Sequence, residues 1–257
     1  VELSKYSVGV SWLKTVLYSI QFVTDRISIV SNKMINDVNR MKREGRCVTK
    51  LLLRHMSLTQ DSNKNLGSMV TQLKFLNELQ ERLKAPEGSS AILDDMIKIK
   101  EYLSDPAHLR LFIHGDVSSL SKDSWKELEG FPSLDNALPC SLPPIPPSYS
   151  QLLPTAYGQS LIAGVGGVES NYLTQCLPCI TDYSHPDLPS IMIFAEYLAT
   201  LEGPMWRQIR GMGLSYHYSL TASPETGHLT FVLYKSSQLV QAYEVARDIV
   251  VSHMIIT

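Results

Sequence analysis

Net charge, cysteine and long apolar runs are all scarce in this chain of 257 residues. Its 23 lysines and arginines stand against 25 aspartates and glutamates, for a net charge of −2. That balance gives no electrostatic case for a nucleic-acid partner, whose phosphates call for a strongly basic surface. No apolar stretch approaches the roughly 18 residues that a membrane-crossing helix needs, so no membrane partner is expected. Four cysteines, at 47, 140, 176 and 179, are too few to frame a disulfide scaffold at this size. The histidines at 55, 108, 114, 185, 217, 228 and 253 never bracket a glutamate at metal-binding spacing. Three converging ligands and an open position are what catalytic zinc requires, so no metal ligand is expected in this chain.

Cys176-Leu-Pro-Cys179 is the one suggestive pair, with His185 six residues on. A zinc knuckle would need a fourth ligand, and no second such pair exists. A thioredoxin-like site would place the pair at a helix N-terminus, whereas residues 171–180 read as extended. Ordinary reduced thiols are the expectation. The glycines at 164, 166 and 167 miss the dinucleotide fingerprint, because position 169 is glutamate. Leu161–Val168 is expected instead to be extended, its glycines allowing close approach of another backbone.

Residues 11–103 carry helical periodicity almost throughout. Trp12, Val16, Ser19/Ile20 and Val23 form an apolar stripe, which Ile27, Val30, Met34 and Val38 continue at i+3/i+4 spacing. Core packing is the expectation for this stripe. Arg43-Glu44-Gly45 breaks the pattern before a helix over about Cys47–Met56. Leu66–Leu83 is a further amphipathic helix stopped by Ala85-Pro86-Glu87-Gly88, and Ile92–Leu103 another, ended by Asp105-Pro106. His108–His114 reads as a strand. The basic residues Lys42, Arg43, Arg46, Lys50 and Arg54 read as a solvated helix face, with a polyanion site as the lesser reading.

Seven of the chain's 14 prolines lie between Phe131 and Pro154. Prolines fix φ and remove donors, which makes this an extended connection between two units. Beyond it, Asp187-Leu-Pro189 opens a helix with Ile191, Phe194/Ala195 and Leu198 inward. Leu214, Tyr216, Tyr218 and Leu220 alternate with polar residues as a strand with one apolar face. Ser223–Gly227 turns the chain into an antiparallel partner over His228–Tyr234, and Ser236/Ser237 can cap a last helix.

The most informative stretch is Gly203-Pro-Met-Trp-Arg-Gln-Ile-Arg210-Gly-Met-Gly-Leu-Ser-Tyr216-His-Tyr218. Pro204 suits a first helical turn, and Gly211 and Gly213 can end that helix with positive φ. Arg210 and Tyr216 therefore flank a helix-to-strand junction, six residues apart. A guanidinium offers a fork of donors to carbonyl or carboxylate oxygens, and a phenol can donate to a developing oxyanion.

This stretch resembles the signature of the last domain of insulinase/pitrilysin-type zinc metallopeptidases, most closely the presequence-protease-like branch. Arg210 and Tyr216 match the arginine and tyrosine of that signature in type, order and spacing. Ser190–Trp206, ending in Leu-Glu-Gly-Pro-Met-Trp, looks like the helix of the same domain. The tyrosine is followed by His217, where many members carry glycine. Met41-Lys-Arg-Glu-Gly45 and the strand closing at Gly115-Asp116 look like parts of the family's third domain.

The resemblance implies an α+β fold of the LuxS/MPP-like metallopeptidase type. A helix-rich third-domain-like segment would cover 1–130, a Pro-rich linker 131–154, and a second α+β sandwich with an antiparallel sheet 155–257. It further implies a non-catalytic, substrate-binding C-terminal half of a zinc metalloendopeptidase that degrades unfolded peptides in a closed chamber. The family's inverted His-x-x-Glu-His motif is absent here, so zinc would belong to an N-terminal catalytic half, the chain's expected partner beside its peptide substrates. A start at Val1 rather than methionine is what a piece of a longer polypeptide would show. By the same resemblance Arg210 binds substrate, and Tyr216 both binds substrate and acts in catalysis. The cytoplasm is the implied compartment, with the mitochondrial matrix as alternative. The other reading of the same fold is a non-catalytic scaffold or partner subunit, like processing-peptidase partners and respiratory core proteins. An unrelated binding module is a third.

Overall fold

The structure, a computed structural model, describes residues 2–105, 113–120, 125, 148–153 and 157–254. The helical periodicity of the first part becomes α1 (Tyr6–Tyr18), α2 (Thr24–Met41), α3 (Gly45–Ser57), α4 (Asn63–Leu66), α5 (Met69–Leu83) and α6 (Pro86–Ser104). Then follow β1 (Asn171–Pro178), α7 (Leu188–Ala199), β2 (Ser215–Ser223), β3 (His228–Ser236) and α8 (Leu239–Met254). Helices with one small antiparallel sheet make a mixed architecture compatible with the α+β class. Residues 108–112 of the expected strand and most of the linker over 131–154, with Cys140, lie outside the described residues, and Ile113 and His114 are not in a strand. Among the described residues no helix is long and apolar enough to cross a membrane.

The chain forms two compact units: Val1–Lys33 with Leu76–Ile145, and Met34–Phe75 with Pro146–Thr257. This differs from a division in chain order, because residues 34–75 group with the C-terminal sheet. In the first unit Val10 and Trp125 are buried against Tyr6, Tyr18 and Ile113, and the Trp125 indole N–H donates to the Tyr6 hydroxyl. Gln80 of α5 donates to the Ser28 carbonyl at 2.8 Å and accepts from the Ser28 hydroxyl at 3.2 Å, clamping α5 to α2. The stripe expected in the core is largely outside it: Trp12 is 71% exposed and Val16 58%. Val10, off that stripe, is the buried residue of α1. Pro86 opens α6 rather than merely ending α5, since its missing N–H costs nothing in a first turn.

In the second unit β3 lies between β1 and β2, antiparallel to both. Pleating puts alternate rows on opposite faces. Leu173, Leu233 and Tyr218 share one row, on the side packed by Leu198 of α7, Ala242, Ala246 and Ile249 of α8, and Met205 and Ile209 between α7 and β2. The inward residues expected on α7 hold: Ala195 and Leu198 are buried, with Ile191 and Phe194 partly so. The next row, Tyr172, Tyr234 and His217, lies on the other face. There the N-terminus of α3 sits so close that a Cβ on Gly45 would lie 2.3 Å from the Tyr172 ring. The end of the linker reaches the same helix, with Thr59 N–H donating to the Gln151 carbonyl at 3.0 Å and Leu153 N–H to that of Ser57 at 2.9 Å.

Two local expectations are corrected. Leu161–Val168 forms no strand; its glycines have open space around them, and Gly167 turns the chain at φ +80°. Nor do Ser236 and Ser237 cap α8. Their hydroxyls reach back to the carbonyls of Leu214 at 2.6 Å and Gly213 at 2.9 Å. That choice satisfies acceptors just before β2, the buried Leu214 carbonyl among them, and leaves Gln238 to open the helix by accepting from Ala242 N–H at 2.9 Å.

Candidate functional site

Residues 203–216 build the junction that carries the two expected site residues. Pro204 opens a helical turn that widens into π geometry over Trp206–Arg210, closed by Gly211 N–H donating to the Trp206 carbonyl at 2.8 Å. Leu214 N–H repeats the same five-residue reach to the Ile209 carbonyl at 2.9 Å. Gly213 supplies the positive φ, +72°, that returns the chain into β2. The Leu214 carbonyl then accepts from the Ser236 hydroxyl, and the Ser215 hydroxyl donates to the Tyr234 carbonyl at 3.2 Å. Buried Ile209 and Met205 anchor the turn in the core. Tyr216 thus projects from the start of a strand tied to β3 through residues 214 and 215.

Arg210 and Tyr216 come together. The guanidinium carbon of Arg210 lies 4.8 Å from the Tyr216 ring centroid, within the range of a cation–π contact. Lys235, itself at φ 55°, places its ammonium 5.8 Å from the same ring. Tyr216 is 62% exposed and Arg210 is exposed too. On the expected apolar face of β2, Leu214 is buried and Tyr218 and Leu220 pack on the core, while Tyr216 remains outside it. A guanidinium over a ring can keep N–H groups available, so the pair can present two kinds of donor to one ligand.

His217 points to the opposite face, stacked on Tyr234 with centroids 5.7 Å apart and planes 22° apart. Arg46 of α3 approaches the same ring, its guanidinium carbon 5.9 Å from the centroid. Burial, then the charges of Arg46 and Arg210, push the His217 pKa below its ordinary value. Arg46 and Lys235 are the residues that sequence reasoning did not attach to this site. Arg46 was visible only as part of a basic helix face, and nothing local links residue 46 to residue 234.

Cys176 and Cys179 are both free thiols, not paired with each other. Cys176 is on β1, its sulfur 3.5 Å from the Thr230 hydroxyl, and burial raises its pKa away from the thiolate. At that end of the sheet His228 is buried, with the Tyr157 ring edge-on at 5.7 Å and Nε2 without a hydrogen-bond partner among the described residues. Among the described residues no group of three or more His, Cys, Asp or Glu side chains is placed to hold a metal ion.

No family model matches the chain, and no solved structure matches it. It is similar to "Uncharacterized protein C3H1.02c" of Schizosaccharomyces pombe, 26% identical over 257 residues, spanning 98% of this chain and 24% of that protein. It is likewise similar to "Uncharacterized protein C05D11.1" of Caenorhabditis elegans, 27% identical over 256 residues, 97% of this chain and 25% of that protein. "Uncharacterized protein YOL098C" of Saccharomyces cerevisiae is 26% identical over 257 residues, 95% and 24% respectively. The chain spans about a quarter of the length of these relatives.

Proposed function

We propose that this chain is the substrate-binding, non-catalytic C-terminal half, or part of it, of an insulinase/pitrilysin-type zinc metalloendopeptidase acting on unfolded peptides in a closed chamber. The observation that carries the reading is the Arg210–Tyr216 pair, exposed and stacked at a junction fixed by the Leu214 carbonyl. The match of these two residues to the family signature supports it, as does the greater length of the relatives. The sheet with α7 and α8 would be one of the family's sandwich domains.

On this reading zinc would be held by the N-terminal catalytic half, since the family's His-x-x-Glu-His motif does not occur in this sequence. This chain's share is binding and orientation. The N–H edge of Arg210 donates to a backbone carbonyl of the peptide and fixes its register. The Tyr216 hydroxyl donates to the carbonyl oxygen that gains negative charge as the peptide bond is attacked. Because the ring is held by the strand and flanked by two cations, little reorganisation is needed when that charge forms.

Zinc stoichiometry on the longest natural polypeptide containing the chain tests the proposal. One tightly bound zinc with chelator-sensitive cleavage of an unfolded peptide is the expected result. A properly folded polypeptide without zinc overturns the peptidase and leaves a scaffold or partner subunit of the same fold.

A further inference from the structure

The cationic side of α3 opens onto a cleft of about 450 Å³ that lies wholly within the second unit. Cys47, Leu51 and Arg54 recur at i, i+4 and i+7, so one side of the helix lines the cleft while Gly45, on another side, rests on the Tyr172 ring. A second wall is the start of α5, with Gly67, Ser68 and Val70. That wall is held in place by Asn65, whose side-chain amide donates to the Thr59 carbonyl at 3.0 Å and whose backbone N–H donates to the Ser62 hydroxyl at 3.3 Å. The short helix α4 is thereby tied to the chain leaving α3, just ahead of α5.

The cleft has the chemistry of an anion site on three counts. Lys42, Lys50 and Arg54 line it, and no carboxylate does. None of these three cations forms an ion pair among the described residues, and Glu44, two residues from Lys42, is held by Arg40 at 2.7 Å. Next, α5 runs for 15 residues and turns its N-terminal end, the positive end of the helix dipole, to the cleft. Its first-turn amides at Val70 and Thr71 have no partner within the helix, nor any among the other described residues. Finally, Ser68 stands at the N-cap, its carbonyl accepting from Gln72 N–H at 2.8 Å. It is 8% exposed and lines the cleft, yet its hydroxyl bonds neither those amides nor any other described residue. That oxygen is not sealed in, and the cleft is what it opens onto. A buried hydroxyl without a partner is unfavourable unless something outside the chain completes it.

The remaining lining is apolar, with Met41, Val48, Leu51, Val70 and Val165. A ligand that suits both parts carries a compact, strongly charged anion on an apolar body. Phosphate answers the charged part better than carboxylate. It brings about two charges and three spread acceptors to amides, a hydroxyl and cations that arrive from different elements. Clefts of this size hold small molecules.

We infer that this cleft binds a small, soluble phosphate monoester with an apolar body. The phosphate sits on the first turn of α5 and the Ser68 hydroxyl and is countered by Lys42, Lys50 and Arg54, while the body lies against Leu51 and Val70. The site goes beyond the peptidase reading and does not depend on it.

The test is isothermal titration calorimetry on the longest natural polypeptide containing the chain, with a chelator present so that phosphate on a metal is not counted. The probes are hexyl phosphate, inorganic phosphate and hexanoate. Hexyl phosphate should saturate one site and bind about tenfold or more tightly than either of the others. Inorganic phosphate lacks the apolar body, and hexanoate carries about half the charge. Rising salt should weaken binding. Lys50→Gln combined with Arg54→Gln, both exposed positions, should lower affinity about tenfold or more, the scale of charge-assisted hydrogen bonds. Ser68→Ala removes a hydroxyl that has no partner in the free protein, so the urea midpoint should hold while affinity for hexyl phosphate falls several-fold. Absence of saturable binding, hexanoate binding as tightly as hexyl phosphate, or an affinity that survives all three substitutions overturns the inference. So does capture by phosphatidic-acid vesicles without binding of hexyl phosphate, which would assign the anion to a lipid surface. Zinc and cleavage are not read in this assay, so such a failure leaves the peptidase standing.

Discussion

At Tyr216 the phenol is out in solvent while the ring carries two cationic neighbours, so its hydroxyl is free for a ligand and its position is not. Tyr216→Phe keeps the ring for Arg210 and Lys235 and removes only the donor. If the full-length protein is the proposed peptidase, its kcat should fall roughly 10²–10³-fold, the usual effect of deleting one oxyanion donor, with zinc content unchanged. A kcat equal to the parent's would remove Tyr216 from the chemistry. Arg210→Ala should act differently: it takes away a ground-state contact with the peptide, so KM rises more than kcat falls. Normal values of both would leave Arg210 a packing residue on Tyr216. These two positions were legible in the sequence because the whole junction is local, with proline, glycines and alternation all inside residues 203–218. Arg46 and His217 were not legible as neighbours of one ring. Their meeting depends on the β2–β3 register and on where α3 docks, both set by residues far apart in the chain.

The elements were easier to foresee than their burial. Spacing of i+3/i+4 marks one face of α1, yet it does not say whether that face is covered, and Trp12 and Val16 are exposed. Similarly, serines ahead of α8 fit the capping pattern, but the carbonyls of Gly213 and buried Leu214 claim their hydroxyls. Long-range acceptors won over the local helix end. The docking of α3 shows a case where one residue decides an element's place. Gly45 is buried against the Tyr172 ring, and any side chain there would overlap it. Gly45→Ala should therefore destabilise the fold by about 1–3 kcal/mol through overpacking, read as a lower urea midpoint with an unchanged m-value. An unchanged midpoint would mean that α3 does not rest on Tyr172.

For the molecule as a whole, the sheet fixes a response to acid. His228 is buried at the end opposite Tyr216, and burial first, then the Lys64 charge, lowers its pKa below the ordinary histidine value. The Tyr157 ring packs edge-on against it, and burial raises the Tyr157 pKa, so that phenol stays neutral in this range. His217 is lowered as well. Well above about pH 6.5 both imidazoles are neutral in folded and unfolded chains, and neither makes stability depend on pH. As pH falls below that value, the unfolded chain binds protons that the native sites resist, so stability declines until the folded pKa values are passed. Asp116 acts in a separate window: hydrogen bonds from Ser118 and Ser119 lower its pKa, so its contribution is lost only under stronger acid. The urea midpoint should thus fall between pH 7.5 and pH 5.5, and His228→Gln should flatten that fall, because glutamine carries no proton to be refused. His217→Gln should flatten it further in the double variant. A decline of the same slope in parent, single and double variants would assign the acid response to groups other than these two imidazoles.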